Sequence, residues 1–332
     1  MLASPAGQTS AGAARTATSA VPRAADGHLD LQGMWNAATI TPLERPVQLA
    51  GKATLTEAEA AAYARDFLET SSLDRRDGGP AADRSRAYPN YFTDRGSALA
   101  RIDNVIPTSL IVDPPDGRIP PLTPEGQKRV ARDEAIRAAT SDAGEQAGTV
   151  GLGVYDDPEL RPLAERCLLA FGSSSGPPSL PVLYNNFKQI VQTKDHVMIL
   201  VEMVHDARII PFNRPHAPKH VRKWMGDSVA RWDGDTLVID TTNFTDKTRF
   251  RGSSADLHVV ERITRVDANT IRYRFTIDDP ATWTHSWTGE YPWVATADPL
   301  YEYACHEGNY AFGGILRGAR LLENEAARKV TK

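Results

Sequence analysis

The sequence predicts a mainly β protein, an antiparallel barrel with an N-terminal wrap of loops and two short helices. From Asn185 onward the chain consists of short strand-like runs joined by turn dipeptides, which indicates roughly eight to ten antiparallel strands. The preceding half has little strand signal and is rich in Gly, Pro and Ser. A meander of this kind must protect its edge strands, and closure into a barrel does so, with a sandwich as the competing architecture.

Residues 1–27 are almost all Ala, Ser, Thr, Gly, Pro and Gln, a composition that predicts disorder. The segment lacks the apolar core of an intact signal peptide and resembles the stretch that follows one after its removal. We therefore expect an exported protein, periplasmic or extracellular, whose signal peptide is absent from the sequence as given. Cys167 and Cys305 are too far apart for a CxxC motif and form either one long-range disulfide or two buried thiols.

The wrap, residues 28–181, is predicted to be loop-rich and to contribute a first strand to the barrel. Its two helices are expected over 58–69 and from 124 to about 138. Thr56 and Glu59 form a capping box before the first helix, and Pro124 suits the first position of the second. The remaining Gly-, Pro- and Ser-rich stretches are predicted to be long loops.

Residues 182–322 are predicted to form the barrel, in one structural domain with the wrap. Strand-like runs occupy 187–193, 196–204, 228–232, 235–241, 257–266 and 270–278, with further runs at 283–290 and 300–305. The Asp233-Gly234 pair between two of these runs is a strong signal for a two-residue hairpin.

Near the start of the wrap, Gly33 and Trp35 form a GxW pair. In lipocalin-like barrels this pair opens the first strand, and the tryptophan plugs the closed end. The sequence therefore resembles a lipocalin-like barrel whose first strand comes from the N-terminal region.

Two carboxylates fall in phase with apolar residues. Glu261 shares a strand face with Val259 and Ile263, and Glu202 is in phase with Leu200, so both are predicted to be buried. A buried carboxylate needs a cation or a hydrogen-bond donor, or else it takes up a proton, so each is either a structural ion pair or an acid/base group. The possible cationic partners are Arg208, Arg231 and Arg251.

A second polar cluster falls at strand ends and turns. His205 and Asp206 follow an apolar strand, and the segment 301–310 places His306 beside Glu307. A histidine oriented by a carboxylate is suited to act as a general base. The alternative is that these side chains hydrogen-bond loop backbone and close the barrel.

Other motifs restrict the chemistry. His216 and His220 have a spacing that suits a metal on a helix, but Pro215 and Pro218 disfavour that helix, so no metal site is predicted. The chain contains no GxSxG, GxxxxGK[ST], HExxH or strand-linked GxGxxG motif. If the protein is an enzyme, proton transfer without a bound cofactor is therefore the expected chemistry.

Charge and hydropathy limit the partners. The 332 residues carry 42 acidic and 38 basic side chains, a formal net charge of -4, and there is no basic patch to suggest nucleic acid or an anionic membrane surface. No stretch approaches the roughly 18 consecutive apolar residues of a spanning helix, so no integral membrane segment is expected. The sequence does not indicate an oligomeric state.

Longer words in the sequence resemble a large group of bacterial, typically exported proteins of unassigned function. They include 26-DGHLDLQGMW-35, 234-GDTLVIDTTNF-244 and 301-YEYACHEGNY-310, and the resemblance extends over about residues 26–320. It implies export and a shared fold. It transfers no activity and no catalytic residues.

Together these observations favour a cofactor-independent acid/base enzyme of the lyase, isomerase or cyclase type. Its substrate would be a largely apolar small molecule, such as an aromatic or terpenoid compound, held in the barrel pocket. The predicted acid/base residues are His205, Asp206, Glu261, His306 and Glu307. The predicted substrate-binding residues are Tyr184, Asn186, Glu202, Arg251, Trp283 and Tyr310. The alternatives are a non-catalytic lipocalin-like carrier of a hydrophobic ligand and a secreted polysaccharide-active protein.

Overall fold

The structure, a computed structural model, describes most of the chain. The described residues are 21–80, 83, 89–139, 155, 157–170, 176–248, 250–307 and 309–330. Among them, no helix is long and apolar enough to cross a membrane.

The protein is mainly β and antiparallel, as the sequence predicts. The strands in the described part of the chain are β1 (Gly33–Asn36), β2 (Thr54–Leu55), β3 (Ile106–Pro107), β4 (Ile111–Asp113), β5 (Phe187–Gln192), β6 (His196–Val201), β7 (Asp206–Pro211), β8 (Asp227–Asp233), β9 (Thr236–Thr242), β10 (His258–Arg265), β11 (Thr270–Asp278) and β12 (Trp287–Ala295). The last predicted strand, over 300–305, does not form. Residues 300–304 have no regular secondary structure, and 305 lies in a turn.

One nearly closed sheet contains all of these strands except β2 and β3, which pair with each other. Its order is β7-β6-β5-β1-β12-β11-β10-β9-β8, and β4 pairs with β12 beside this path. The two terminal strands, β7 and β8, approach each other through a parallel bridge between Phe212 and Ala230, where the Asn213 N–H donates to the Ala230 carbonyl over 2.8 Å. The sheet therefore forms a barrel with one incomplete seam.

The predicted first strand is β1, between β5 and β12. Trp35 is buried, and its Nε1–H donates to the Leu31 carbonyl over 3.0 Å. The Arg265 guanidinium lies 5.2 Å from the centre of the Trp35 ring and donates to the Asp30 carbonyl over 2.6 Å. These contacts attach the segment before β1 to the strands that follow it.

In the described part of the chain, three α-helices lie outside the barrel: α1 (Glu57–Thr70), α2 (Pro124–Ala139) and α3 (Tyr310–Val330). The first has the predicted capping box, in which Thr56 and Glu59 each bond the other's backbone N–H. The two helices predicted in the wrap are α1 and α2, whereas α3, which follows the barrel, was not predicted. Its run of Ala, Leu, Glu and Arg favours a helix, whereas Gly313 and Gly314 at its start suggest a loop.

Large aromatic side chains fill the barrel interior. Five of them are fully buried: Trp287, Trp293, Tyr273, Tyr291 and Phe275. A strap of residues 176–181 enters among them, since the Ser179 N–H donates to the Tyr273 hydroxyl over 2.8 Å and the Tyr291 hydroxyl donates to the Ser179 carbonyl over 2.9 Å. The strap thus occupies volume in which the sequence predicts part of a pocket.

Two long-range contacts attach the wrap and the N-terminal segment. Cys167 and Cys305 form a disulfide with a Cα–Cα distance of 5.9 Å, which decides between the two possibilities that the sequence left open. Of the segment predicted to be disordered, residues 1–20 lie outside the described residues. Residues 21–27 pack against the barrel, where Arg23 forms an ion pair with Asp235 at 2.8 Å.

Candidate functional site

Glu261 points into the barrel, as predicted, but it is fully paired. It is completely buried, and Arg208 donates to its two carboxylate oxygens over 3.0 and 2.6 Å. The Tyr273 hydroxyl adds a third hydrogen bond of 2.8 Å. Burial, together with the Glu261 charge, raises the pKa of Tyr273 well above its usual value. Glu261 therefore belongs to a buried ion pair in which both of its carboxylate oxygens already accept hydrogen bonds.

The other predicted acid/base residues do not join Glu261 in one pocket. His205, His306 and Glu307 have exposed side chains, whereas Glu261 is completely buried. His205 follows Val204 in a turn where both residues have left-handed backbone, with φ of 44° and 60°. Both histidines lie in surface turns, and their role as acid/base residues stays a prediction. Asp206, half-buried, begins β7.

Asn186 and Glu202, predicted to bind substrate, hold the backbone at one end of the barrel. The Asn186 side-chain amide donates to an Asp94 carboxylate oxygen over 3.1 Å. Glu202 is buried, and its carboxylate accepts from the Tyr301 N–H over 3.1 Å. Both polar groups therefore connect the barrel to neighbouring loops.

Sequence reasoning missed Lys188, which lies beside these two residues. It is 1% exposed, its Nζ is 3.5 Å from the Asn186 carbonyl oxygen, and it lies 5.5 Å from the centre of the Trp293 ring. Burial lowers the pKa of Lys188 to about 8, against the opposing effect of the Asp94 and Glu202 charges. The available signal was its phase, since Lys188 lies two residues before the buried Ile190.

The remaining predicted substrate-binding residues lie elsewhere. Trp283 is 2% exposed and packs edge-on against Trp287 in the core, with ring centres 5.9 Å apart. Arg251 and Tyr310 are exposed, and Tyr184 is partly buried against the core cluster. The structure therefore places Trp283 in the core, Tyr184 against the core, and Arg251 and Tyr310 at the surface.

An open concave site lies where the barrel is incomplete. Between β7 and β8 is a cleft of about 580 Å³, which we call the seam cleft. Its apolar lining residues are Ala207, Ile209, Ile210, Pro211, Pro215, Ala217, Trp224, Met225 and Val229. Its polar lining residues are Arg208, Arg214, His216, Lys223, Asp227 and Ser228. This size and this mixture are typical of sites for small organic molecules.

A chain of charged side chains holds one wall of the seam cleft against the barrel. The His216 ring nitrogens lie 3.3 Å from Asp227 and 2.9 Å from Asp240, and His258 approaches the second oxygen of Asp240 at 3.1 Å. The hydrogen bond from His258 lowers the pKa of Asp240, and the same bond raises the pKa of His258. Lys223 donates to Asp227 over 2.6 Å. The loop between β7 and β8 is thereby fixed on the outer face of β8, β9 and β10.

This network is not the helical metal site for which the spacing of His216 and His220 would be suited. The partners of His216 come from neighbouring strands and not from its own segment. No group of three or more His, Cys, Asp or Glu side chains in the described part of the chain is arranged to hold a metal ion.

Arg208 connects the seam cleft to the barrel interior. It lines the cleft, binds Glu261 with its terminal nitrogens, and donates to the Ser228 hydroxyl over 3.1 Å. Its Nε is buried and has no hydrogen-bond partner among the described residues. One donor of this otherwise paired guanidinium is therefore buried and unsatisfied among the described residues.

Comparison with protein-family models, with curated proteins and with solved structures finds no match for this chain. The function proposed for it therefore rests on the geometry of its own residues.

Proposed function

We propose that the protein binds a small molecule with a largely apolar body in the seam cleft and acts as a carrier of that molecule. The supporting observation is an open cleft of about 580 Å³. Its walls are mostly apolar, and a smaller number of its lining residues are polar. Ile209 is an example of an apolar group available to a ligand, since it is 68% exposed on a strand. Covering such surface is a favourable contribution to binding.

Binding is favoured over acid/base catalysis in this cleft because its histidine, its carboxylate and its buried arginine are already paired. Both ring nitrogens of His216 face carboxylates, and Arg208 is held by Glu261. A general base needs a free nitrogen or oxygen within hydrogen-bond reach of the substrate proton.

A second candidate is a cofactor-independent acid/base enzyme of the lyase, isomerase or cyclase type. Lys188 supports it, since a buried amine with a pKa of about 8 is suited to accept a proton near neutral pH. The consecutive left-handed residues Val204 and His205 add backbone strain of the kind that is concentrated at active sites. The test is to incubate the protein with a small molecule that co-purifies with it and to follow that molecule by mass spectrometry. This candidate predicts that the wild type converts the molecule and that Lys188→Met does not. A ligand that stays unchanged refutes it.

We also propose that the barrel is lipocalin-like and that the protein is exported. The position of Gly33 and Trp35 on β1, with Trp35 buried, supports the first proposal. The disulfide between Cys167 and Cys305 supports the second, because stable disulfides belong mostly to oxidising compartments.

Fluorescence of the uncharged probe N-phenyl-1-naphthylamine tests the carrier function. We expect the probe to bind the wild-type protein and Ile209→Asn to weaken binding roughly tenfold, since loss of one covered isoleucine costs about 1.5 kcal/mol. The matched control is Val294→Asn, an exposed aliphatic position on β12 outside the cleft. Equal effects of the two substitutions, or no binding by the wild type, refute the proposal.

A further inference from the structure

The loop between β7 and β8 forms one wall of the seam cleft and has little regular structure. Residues 214–218 belong to no helix or strand, yet Pro215, His216 and Ala217 line the cleft. Arg214, the charged neighbour of His216 in this segment, is exposed, as is Pro215. The position of such a segment depends on the polar bonds that attach it to the barrel, because it has few buried apolar contacts.

His216 attaches this segment to two strands at once. Its Nδ1 lies 3.3 Å from Asp227 on β8, and its Nε2 lies 2.9 Å from Asp240 on β9. Asp227 also accepts from the Ala217 N–H over 2.9 Å. The His216 side chain is only 27% exposed, so solvent and salt screen these contacts only in part.

The two bonds of His216 can form together only when its ring is protonated. Burial opposes the charge of Asp227, but its hydrogen bonds and the Lys223 charge lower its pKa overall. The hydrogen bond from His258 lowers the pKa of Asp240, so both carboxylates are ionised near neutral pH. An ionised carboxylate only accepts hydrogen bonds, and a neutral imidazole has one N–H where an imidazolium has two. Loss of a proton therefore leaves a ring lone pair facing a carboxylate oxygen.

The other charges of this cluster are balanced only when a histidine carries a proton. Two carboxylates, Asp227 and Asp240, face a single ammonium group, that of Lys223, which donates to Asp227 over 2.6 Å. His258 on β10 is the second histidine of the cluster, 3.1 Å from Asp240. That hydrogen bond, reinforced by the charge of Asp278, raises the pKa of His258.

We propose that His216 is a pH-sensitive latch on the wall of the seam cleft. In its protonated form it holds residues 214–218 against both β8 and β9, and the loss of a proton releases one of these two attachments. The wall is then fixed at mildly acidic pH and loosens as the pH rises, so the affinity of the cleft for its ligand falls with rising pH. This inference rests on the proposed carrier function and adds its regulation.

Hydrogen exchange of the loop tests the latch without any ligand. The protection of the amides in 214–218 is compared at about pH 5.5 and about pH 8.5, on either side of the usual histidine pKa, after correction for the intrinsic effect of pH on exchange. We expect at least about tenfold greater protection in the wild type at the lower pH, because hydrogen bonds between charged groups are the stronger ones. His216→Gln, whose side chain does not titrate, should show low protection at both pH values.

Two further variants make the exchange result specific. His285→Gln is the matched control, since it removes an exposed histidine in the loop between β11 and β12, and it should keep the wild-type pH dependence. Asp240→Asn keeps the side-chain shape but removes the charge that faces the His216 Nε2, so it should reduce the pH dependence and replaces His216→Gln if that variant does not fold. Equal protection of the wild type at the two pH values overturns the latch, as does an unchanged pH dependence in His216→Gln.

Fluorescence of N-phenyl-1-naphthylamine, which stays uncharged in this pH range, tests whether the latch controls the cleft. We expect the wild type to bind the probe severalfold more weakly at the higher pH, and His216→Gln to bind it with the same weak affinity at both. A pH-independent affinity in the wild type overturns the control of binding. Absence of binding at both pH values overturns the carrier function, and the exchange result alone then decides whether the latch exists.

Discussion

Replacing Glu261 by glutamine tests whether this buried carboxylate is a structural counter-ion. The substitution preserves shape and leaves the Arg208 guanidinium, 6% exposed, without its negative partner. It also changes three hydrogen bonds, two from Arg208 at 3.0 and 2.6 Å and one from Tyr273 at 2.8 Å. If the pair is structural, most of the effect is on folding stability.

Breaking a buried ion pair by removing one partner typically costs about 3–5 kcal/mol, because the remaining charge stays buried and uncompensated. We expect Glu261→Gln to lower the free energy of unfolding by this amount. Arg208→Met alone leaves a buried carboxylate and should cost about as much. The double variant removes both charges, so its loss should be smaller than the sum of the single losses by about 2 kcal/mol or more.

Urea denaturation followed by circular dichroism measures these losses. The control is Glu290→Gln on β12, whose carboxylate pairs with the half-exposed Arg274 at 3.4 Å and should contribute less than about 1 kcal/mol. A loss below about 1 kcal/mol for Glu261→Gln, or strictly additive losses in the double variant, refutes the counter-ion role. Either result would restore Glu261 as a candidate acid/base group.

Three other measurements test separate parts of the fold. The hydrogen bond to Asp240 raises the pKa of His258. The stability that His258 adds, measured against His258→Gln, should therefore be full below about pH 6.5 and be lost as the pH rises through the raised pKa. Thermal melts across this pH range would show the loss. Cys305→Ser opens the disulfide and should cost about 2–5 kcal/mol in urea titration, whereas a loss under about 1 kcal/mol would contradict its stabilising role. Gly289→Ala places a Cβ 2.3 Å from a buried phenylalanine ring and should cost about 1–3 kcal/mol, whereas Gly313→Ala, open on α3, should not destabilise.

Local patterns predicted the regular part of the fold well. The alternation in 257–266 and 270–278 predicts β10 and β11 and places Glu261 inside, and the observed strands agree. The Thr56–Glu59 capping box likewise forms as predicted. These features depend on neighbours within a few residues, so the sequence contains the information directly.

Contacts between distant strands were not predictable in the same way. Glu202 is in phase with the outward side chains of β6 and is buried only because the chain turns inward after Val201. His216 finds its partners on β8 and β9, and Lys188 enters the interior from a strand whose other buried residues are apolar. Register across the sheet, which places such groups together, is a property of the closed barrel and not of any short segment.

The seam cleft follows from the number of strands in the barrel. In a path of antiparallel neighbours each strand reverses direction, so the first and ninth strands of this sheet run the same way and can meet only as a parallel pair. They do so at Phe212 and Ala230. Parallel strands cannot be joined by a tight hairpin, so the connection over 212–226 returns along the outside of the barrel and becomes a wall of the cleft. Away from the bridge the facing edges of β7 and β8 stay unpaired, and Pro211 and Pro215 are residues that protect such edges from pairing with other chains. The feature that leaves the barrel incomplete therefore also provides its ligand-sized opening.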